Sequence, residues 1–461
     1  MSSLILPKQL DTIPAADGKA AARGGFATNL GFILAAAGSA VGLGNIWKFP
    51  YITGVYGGGA FVLVYLGCIL LIGLPLMYAE LIIGRRGGKD VLGALRSLTE
   101  SKGITGKAVS YLTGFLSIAS GFLILSFYAV VAGWAIHFLA VSLGMIPGAE
   151  LGATGVFAEV AGSPLMSSVW HTAFMVLTIV VVVAGVHGGI ERICKILMPM
   201  LVAILIGLLV YVGLTGGLDQ SLTFLFKPDF SKLTGQAVLE ALGHAFFTLS
   251  LGMGAMITYG SYLKNEKHVI RDGVAVAILD TVIALMAGAV IFAVVFSGGM
   301  KADAGPGLLF VTLPQLFVTM PGGTIVSVLF FTLVIFAAWS SAVSLLEVVV
   351  AYLVDECRLN RRTATWVIGG AIWAVGLLSA WSGKVLGFLD DLTTMYMLPL
   401  GGLLIAIAAG WMLTKKDRES GFATLAKSGG FLAASWTITI RFVTPVLVVI
   451  VILAKAGLIQ L

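Results

Sequence analysis

Gly38-Ser-Ala-Val-Gly-Leu-Gly-Asn-Ile-Trp-Lys-Phe-Pro-Tyr51 decides the fold of this chain, because it interrupts a helix inside a segment long enough to cross a bilayer. The apolar segment runs from about Thr28 to Tyr51, and about 20 apolar residues suffice for a span. Gly38, Gly42 and Gly44 crowd its middle, where glycine weakens a helix and frees the backbone. Irregular backbone at membrane depth persists only where it lines a protein-enclosed cavity or binds something. Freed carbonyls suit a cation, and the exposed amides of a half-helix suit a carboxylate. Asn45 adds a side-chain oxygen at the same level. One such glycine would be explained by close helix packing; the cluster points to a binding site.

The composition sets the class around this motif. Hydrophobic residues make up 59% and charged residues 11% of the 461, whereas a soluble domain carries about 25% charged. The chain reads as an all-α polytopic membrane protein. Apolar runs at helical length predict eleven transmembrane helices, near 28–51, 59–84, 108–143, 167–186, 190–214, 237–263, 273–299, 323–356, 362–381, 386–413 and 433–456. With the N-terminus inside, 22 of the 28 basic residues fall on the cytoplasmic side, and only Lys48, Lys227, Lys232, Lys301, Lys384 and Lys455 fall opposite. That asymmetry predicts a cytoplasmic N-terminus, and eleven spans then predict an external C-terminus in the cell membrane. The first twenty residues are polar and Ala-rich, so no signal peptide is expected.

Several classes of chemistry drop out. Cys68, Cys194 and Cys357 show no metal-ligand spacing and no external pair. His137, His171, His187, His244 and His268 are scattered and no nucleophile stands with a base, so no enzyme is expected. No P-loop appears, which argues against an ATP-driven pump. The positive charge follows topology and implies no nucleic-acid partner. Loops at 214–236 and 300–321, punctuated by Pro228, Pro306, Pro314 and Pro321, read as external lids.

A second glycine-interrupted span lies five spans on, at Gly243-His-Ala-Phe-Phe-Thr-Leu-Ser-Leu-Gly-Met-Gly-Ala-Met-Ile-Thr-Tyr259. Broken spans in corresponding positions of two halves predict a five-plus-five inverted repeat with broken helices 1 and 6. The expected organisation is a cytoplasmic tail at 1–22, a first five-helix repeat at 23–214, an external loop and second repeat at 215–414, and a loop with the eleventh helix at 415–461. Asp280 sits inside the seventh span, where an unpaired carboxylate is costly and a cation is its natural partner. Ser340 and Ser341 lie mid-span in the eighth; adjacent serines also bond back to their own helix. Tyr128 is mid-span in the third, and its hydroxyl needs a partner there. Glu80 and Glu347 read as structural. His244 reads equally as a core histidine or a proton-sensitive group.

Gly38-Ser-Ala-Val-Gly-Leu-Gly-Asn45, Trp47-Lys-Phe-Pro50, Gly57-Gly-Gly-Ala-Phe61, Gly73-Leu-Pro-Leu-Met77 and Phe246-Phe-Thr-Leu-Ser-Leu-Gly-Met-Gly254 closely resemble the neurotransmitter:sodium symporter family. The likeness runs from about Arg23 to Trp411. The eleven-span count resembles the bacterial branch, including multi-hydrophobic amino acid transporters. The resemblance implies sodium-coupled uptake of a hydrophobic L-amino acid by alternating access, with two sodium sites. The first would use Ala40 (carbonyl), Asn45, Thr248 and Asp280, closed by the substrate carboxylate. The second would use the carbonyls of Gly38, Val41 and Ala337 with the hydroxyls of Ser340 and Ser341. Hard oxygen ligands fit such an ion.

Substrate contacts carry over in the same way. Tyr128 would hold the carboxylate beside the amides of Leu43 and Gly44, with Ser39, Ala40, Thr248 and Ser341 nearby. The side-chain subsite would be Ile124, Phe247, Ser250, Met253 and Leu345, with the Met253 thioether accommodating several shapes. Relatives that carry monoamines place an aspartate where this chain has Gly42; glycine implies a substrate bringing its own carboxylate. Asp280 stands where asparagine is usual, and its fixed charge implies chloride independence, although Ala284 lacks the acid of some chloride-independent relatives.

For the cytoplasmic gate the resemblance implies an Arg23–Asp355 ion pair, with Phe26 in a position more often tryptophan and Ser261 and Tyr262 in support. For the outer gate it implies Lys48 in place of arginine, under a lid that includes Phe247. The position where the resemblance would put its acidic partner holds Thr393, with Asp390 and Asp391 just before, so the partner stays open. Gly189-x9-Pro199 resembles a motif that permits cytoplasmic unwinding. Two further readings stay open: proton coupling through His244 or Asp280, and a sensor that binds amino acid without turnover.

Overall fold

A computed structural model describes residues 24–263, 268–302, 305–422, 429–455 and 457–459. Among them the chain is helical throughout, and the sole extended pairing is a bridge between Gly58 and Pro228. Among the described residues nine helices are long and apolar enough to cross a membrane, and a tenth candidate is the bent pair Asn29–Ala40 and Gly44–Val55, which turns by 49°. The other expected span is two helices, Gly235–Thr248 and Ala255–Ser261, separated by unwound backbone at 249–254. Both breaks foreseen from the glycines are thus present. The third expected span is longer than its apolar run suggests, Gly103–Ser142.

The two breaks form for different local reasons. Helix Asn29–Ala40 stops when Val41 turns extended, with φ −71° and ψ 112°, and leaves its last carbonyls without intrahelical donors. In the second, Gly252 and Gly254 take φ of 82° and 77°, and Ser250 joins them at 54°. These are left-handed conformations that glycine adopts without cost. A side chain at Gly252 would also strike the carbonyl of Leu398.

The long helices Gly103–Ser142 and Gly323–Asp355 pack along each other and hold the breaks between them. Glycines permit the close approach: a Cβ at Gly121 would lie 3.4 Å from the Leu345 carbonyl, and one at Gly38 would lie 3.1 Å from the Ser340 Cβ. Such small-residue seams drive helix association in a bilayer, where apolar burial alone gives no preference. Single π-helical turns interrupt several spans, at Gly44–Lys48, Val186–Glu191, Leu392–Met397, Ala408–Met412 and Thr439–Val443 among others. Turns of this kind cluster at functional sites.

The expected external loops carry short helices, Leu218–Phe226 and Thr312–Thr319. Beside the second, Phe310 enters an aromatic cluster, stacking on Phe157 with centroids 5.7 Å apart and lying edge-on to Trp47 and Trp134 at 6.5 and 6.0 Å. The loop is thereby keyed to the top of the first broken helix.

Candidate functional site

The two breaks meet in a central cavity of about 300 Å³. Ten of the twelve expected substrate residues line it: Ala40, Leu43 and Gly44 from the first break, Ile124 and Tyr128 from the long third span, Phe247, Ser250 and Met253 from the second break, and Ser341 and Leu345. Gly42 completes the wall, and among the described residues no charged side chain contributes to it. Ser39 and Thr248 are not in the lining. The Ser39 hydroxyl turns away to Ser344 at 2.7 Å, while its carbonyl accepts from the hydroxyls of Ser250 and Ser341 at 2.8 and 2.7 Å. Ser39 therefore ties the two breaks and the eighth expected span together. Thr248 faces Asp280 instead.

Tyr128 is fixed in the wall by the Leu43 amide, which donates to the phenolic oxygen at 3.1 Å. The hydroxyl proton stays available to an acceptor in the cavity. The amides of a helix start beside it favour negative charge.

Behind the cavity lies a buried oxygen cluster. The Asn45 amide donates to the Asp280 carboxylate at 2.7 Å and to its carbonyl at 3.1 Å, and the Thr248 hydroxyl donates to the same carboxylate at 3.0 Å. The Asn45 side-chain oxygen in turn accepts from the Gly42 amide at 2.9 Å, bracing the break. Asp280 is fully buried, and among the described residues no cationic side chain forms an ion pair with it. A buried carboxylate of this kind is stable only with compensation; the Asn45 amide nitrogen and the Thr248 hydroxyl supply part of it, and the carboxylate and hydroxyl oxygens are hard ligands that suit a hard monovalent or divalent cation. The second oxygen group is looser. Ser341 donates to the carbonyls of Ser39 and Val41 at 2.7 and 3.4 Å, and Ser340 bonds back to Phe336 and Ala337 at 3.1 Å. Gly38, Val41, Ala337, Ser340 and Ser341 are thus brought together with oxygens as the local donors.

Outside the cavity a larger space of about 430 Å³ is shared by Leu43, Tyr128 and Phe247 with Lys48, Leu386 and Asp390 among others. Phe247 lies between the two spaces, and the Lys48 ammonium sits 5.3 Å from its ring centre. The acidic neighbour of Lys48 is Asp390, at 4.0 Å. The sequence alone leaves this partner open, since Thr393 holds the position that the resemblance indicates and Asp390 and Asp391 lie just before it. The π turn Leu392–Met397 begins just after Asp391 and adds a residue to one turn, so a regular helical register cannot place the acid. Thr393 instead donates back to Leu389 at 2.8 Å.

At the opposite end Arg23 lies outside the described residues. Asp355 accepts from the Asp90 amide at 2.8 Å. Tyr262 donates to Glu347, which also pairs with Arg361, so the tyrosine is anchored to a buried acid–base pair rather than only to the expected gate. Ser261 bonds back to Thr258 at 2.7 Å. Phe26 lies edge-on to Phe32, Tyr259 and Tyr262. His244 stacks on Phe49 with centroids 5.9 Å apart, and neither ring nitrogen has a hydrogen-bond partner among the described residues.

One residue not singled out from the sequence is prominent. Glu191, on the π turn preceding the helix that contains Pro199, accepts from the Ala27 amide at 2.8 Å and the Thr28 hydroxyl at 3.0 Å. It also accepts from Lys195 at 2.6 Å. It clamps the start of the first broken helix to the expected unwinding point; its one sequence signal is an acid four residues before a lysine.

The chain matches the model of the sodium:neurotransmitter symporter family over residues 23–153 and 165–460. It is 35% identical over 451 residues to the sodium-dependent transporter YhdH of Bacillus subtilis, covering 94% of this chain and 98% of that protein. It is 25% identical to the sodium-dependent dopamine transporter of Bos taurus, of which it covers 68%. Among solved structures, the crystal structure of MhsT in complex with L-phenylalanine aligns with a TM-score of 0.85 and 42% identity, covering 94% of this chain and all of that one. Its proteins are transporters, and this chain belongs to the sodium:neurotransmitter symporter family.

Proposed function

We propose that this sodium-dependent symporter takes up hydrophobic L-amino acids, leucine and tryptophan among them, by alternating access and without need of chloride. The observation that carries the reading is the contrast between the cavity and the cluster behind it. The cavity wall bears no charged side chain, so its ligand must be nearly neutral overall while offering an acceptor to Tyr128 and to the amides of Leu43 and Gly44. A zwitterion with an apolar side chain fits, with that side chain against Ile124, Phe247, Met253 and Leu345. Asp280 supplies the fixed negative charge that one sodium ion would balance, in a shell of Asn45, Thr248 and the Ala40 carbonyl. A second ion would sit among Gly38, Val41, Ala337, Ser340 and Ser341. The MhsT structure holding L-phenylalanine supports this substrate class.

In this reading Phe247, Lys48 and Asp390 close the outer path, while Tyr262, Asp355 and Arg23 close the inner one. The two five-helix repeats at 23–214 and 215–414 rock about the breaks, with the N-terminus cytoplasmic and the C-terminus outside. Accumulation of labelled leucine and tryptophan in proteoliposomes tests it. An inward sodium gradient should drive accumulation with protons clamped. Accumulation driven by protons alone would replace sodium by proton coupling, and binding without accumulation would make the protein a sensor.

A further inference from the structure

The last apolar helical stretch, residues 430–454, contains one charged side chain, Arg441. It stands eleven residues beyond the start of that stretch, about 16 Å along the helix axis. It lies level with the last turn of the helix ending at Met412, whose Gly410 carbonyl it meets, where a long basic side chain can reach the headgroup layer. No aspartate or glutamate occurs anywhere after Glu419. Among the described residues no carboxylate forms an ion pair with Arg441 or with Arg418. The two guanidinium groups instead converge on one oxygen: the Gly410 carbonyl accepts from Arg441 Nε at 2.5 Å and from Arg418 Nη1 at 3.4 Å. Arg418 Nη1 also reaches the Leu413 carbonyl at 2.6 Å. Burial, and then the charge of Arg441, hold the Arg418 guanidinium below its ordinary range.

The fold builds this convergence. Two π turns, Ala408–Met412 and Thr439–Val443, face each other here. A Cβ at Gly410 would lie 2.9 Å from the Arg441 Cγ, so glycine admits the arginine. Trp411 covers Arg441 at 5.3 Å and meets Phe442 edge-on at 5.5 Å. Trp411, Ile438 and Phe442 are each more than half exposed, on a helix that buries little of itself against the protein. Two cations with most of their donors uncommitted therefore lie among side chains that face lipid.

Capping of the preceding helix by these arginines accounts for one or two of their donors. It does not account for bringing two like charges to one carbonyl with no carboxylate in contact, Glu419 acting on Arg418 only at longer range. We propose that Arg418 and Arg441 bind the phosphate of an anionic membrane phospholipid, whose acyl chains lie along Trp411 and Phe442. Bidentate guanidinium–phosphate geometry and an apolar flank are the two halves of such a site.

The test uses the full chain in vesicles of phosphatidylcholine doped with brominated phosphatidylglycerol or brominated phosphatidylcholine. Quenching of Trp411 is taken as the difference between wild type and Trp411→Phe. Two cations at about fivefold each predict a preference for phosphatidylglycerol on the order of 25-fold, shrinking with added salt. Arg418→Gln should remove about fivefold of it and the double variant with Arg441→Gln essentially all. Should Arg441→Gln fail to fold, Arg418→Gln carries the test alone. Equal quenching by both lipids would overturn the proposal, as would a preference unchanged in Arg418→Gln, which would leave the arginines as helix caps only. Displacement of the lipid by millimolar inorganic phosphate would move the assignment from a membrane lipid to a soluble anion and overturn it.

Discussion

The Tyr128 phenolic oxygen stands 2.8 Å from where a Cβ on Gly42 would lie, and the Ser341 hydroxyl oxygen 2.7 Å from it. Neither neighbour can give way freely, since Tyr128 is held by the Leu43 amide and Ser341 by the Ser39 carbonyl. Gly42→Ala should therefore displace the wall of the substrate cavity, at an overpacking cost of about 1–3 kcal/mol. We expect leucine affinity to fall at least about tenfold, read by equilibrium binding. Gly42→Asp should go further, because it sets a carboxylate against the carboxylate of the substrate. Unchanged affinity in both variants would place the substrate elsewhere.

The charge on Asp280 and its hydrogen bonds can be separated. Asp280→Asn keeps a side chain able to bond Asn45 and Thr248 but removes the negative charge. Asp280→Ala removes both and strands a buried amide and hydroxyl, at about 1–3 kcal/mol. Sodium activation of uptake should shift to at least about tenfold higher concentration in the first variant and disappear in the second, with only the second losing thermal stability. Replacing chloride by an inert anion at constant sodium should leave the wild type unaffected. Wild-type sodium activation in Asp280→Asn would mean that the ion is held without this charge.

Much of this architecture was legible in the chain, because glycine clusters have few other uses at membrane depth. The breaks at Gly42 and Gly252 and the carboxylate at Asp280 follow from position along the spans, and ten of the lining residues from the family resemblance. What was not legible depends on geometry that periodicity does not encode. The acidic partner of Lys48 stays open in the sequence, because a π turn at Leu392–Met397 follows Asp391 and breaks the regular register of that helix. Ser39 was assigned to substrate, yet its hydroxyl is spent on Ser344, 305 residues away. The role of Glu191 rests on a backbone amide at Ala27, 164 residues distant, and no side-chain pattern announces such a bond. The bond of Arg441 to the Gly410 carbonyl, 31 residues away, has no signal in the sequence around it.

The outer pair offers a graded test. Lys48 and Asp390 are 4.0 Å apart and the Asp390 side chain is 37% exposed, so the pair is worth about 0–1 kcal/mol. Asp390→Asn should then raise opening of the outer vestibule by no more than about fivefold. Lys48→Arg should reduce it, since a guanidinium can engage a carboxylate bidentately. The rate of thiol labelling at Leu386→Cys, in a chain freed of Cys68, Cys194 and Cys357, measures that opening. Identical labelling in all three backgrounds would assign closure to Phe247 and the loop around Phe310 alone.

Glu191 makes the sharpest claim about the inner path. Its carboxylate joins the amide of Ala27 and the hydroxyl of Thr28 to a π turn, while Lys195 and His187 hold it from the other side at 2.6 and 3.0 Å. Thr28 in turn caps the first helix by accepting from the Gly31 amide at 3.0 Å. In the proposed reading, opening toward the cytoplasm requires the start of that helix to leave, so this acid would oppose opening. Glu191→Ala should release the helix start at a loss of about 1–3 kcal/mol locally, whereas Glu191→Gln retains an acceptor and should lose less. Hydrogen exchange at residues 27–32 should accelerate in the alanine variant while the Gly103–Ser142 helix stays protected. Equal exchange at 27–32 in wild type and variant would mean that the Phe26 ring contacts, not Glu191, hold the inner path shut.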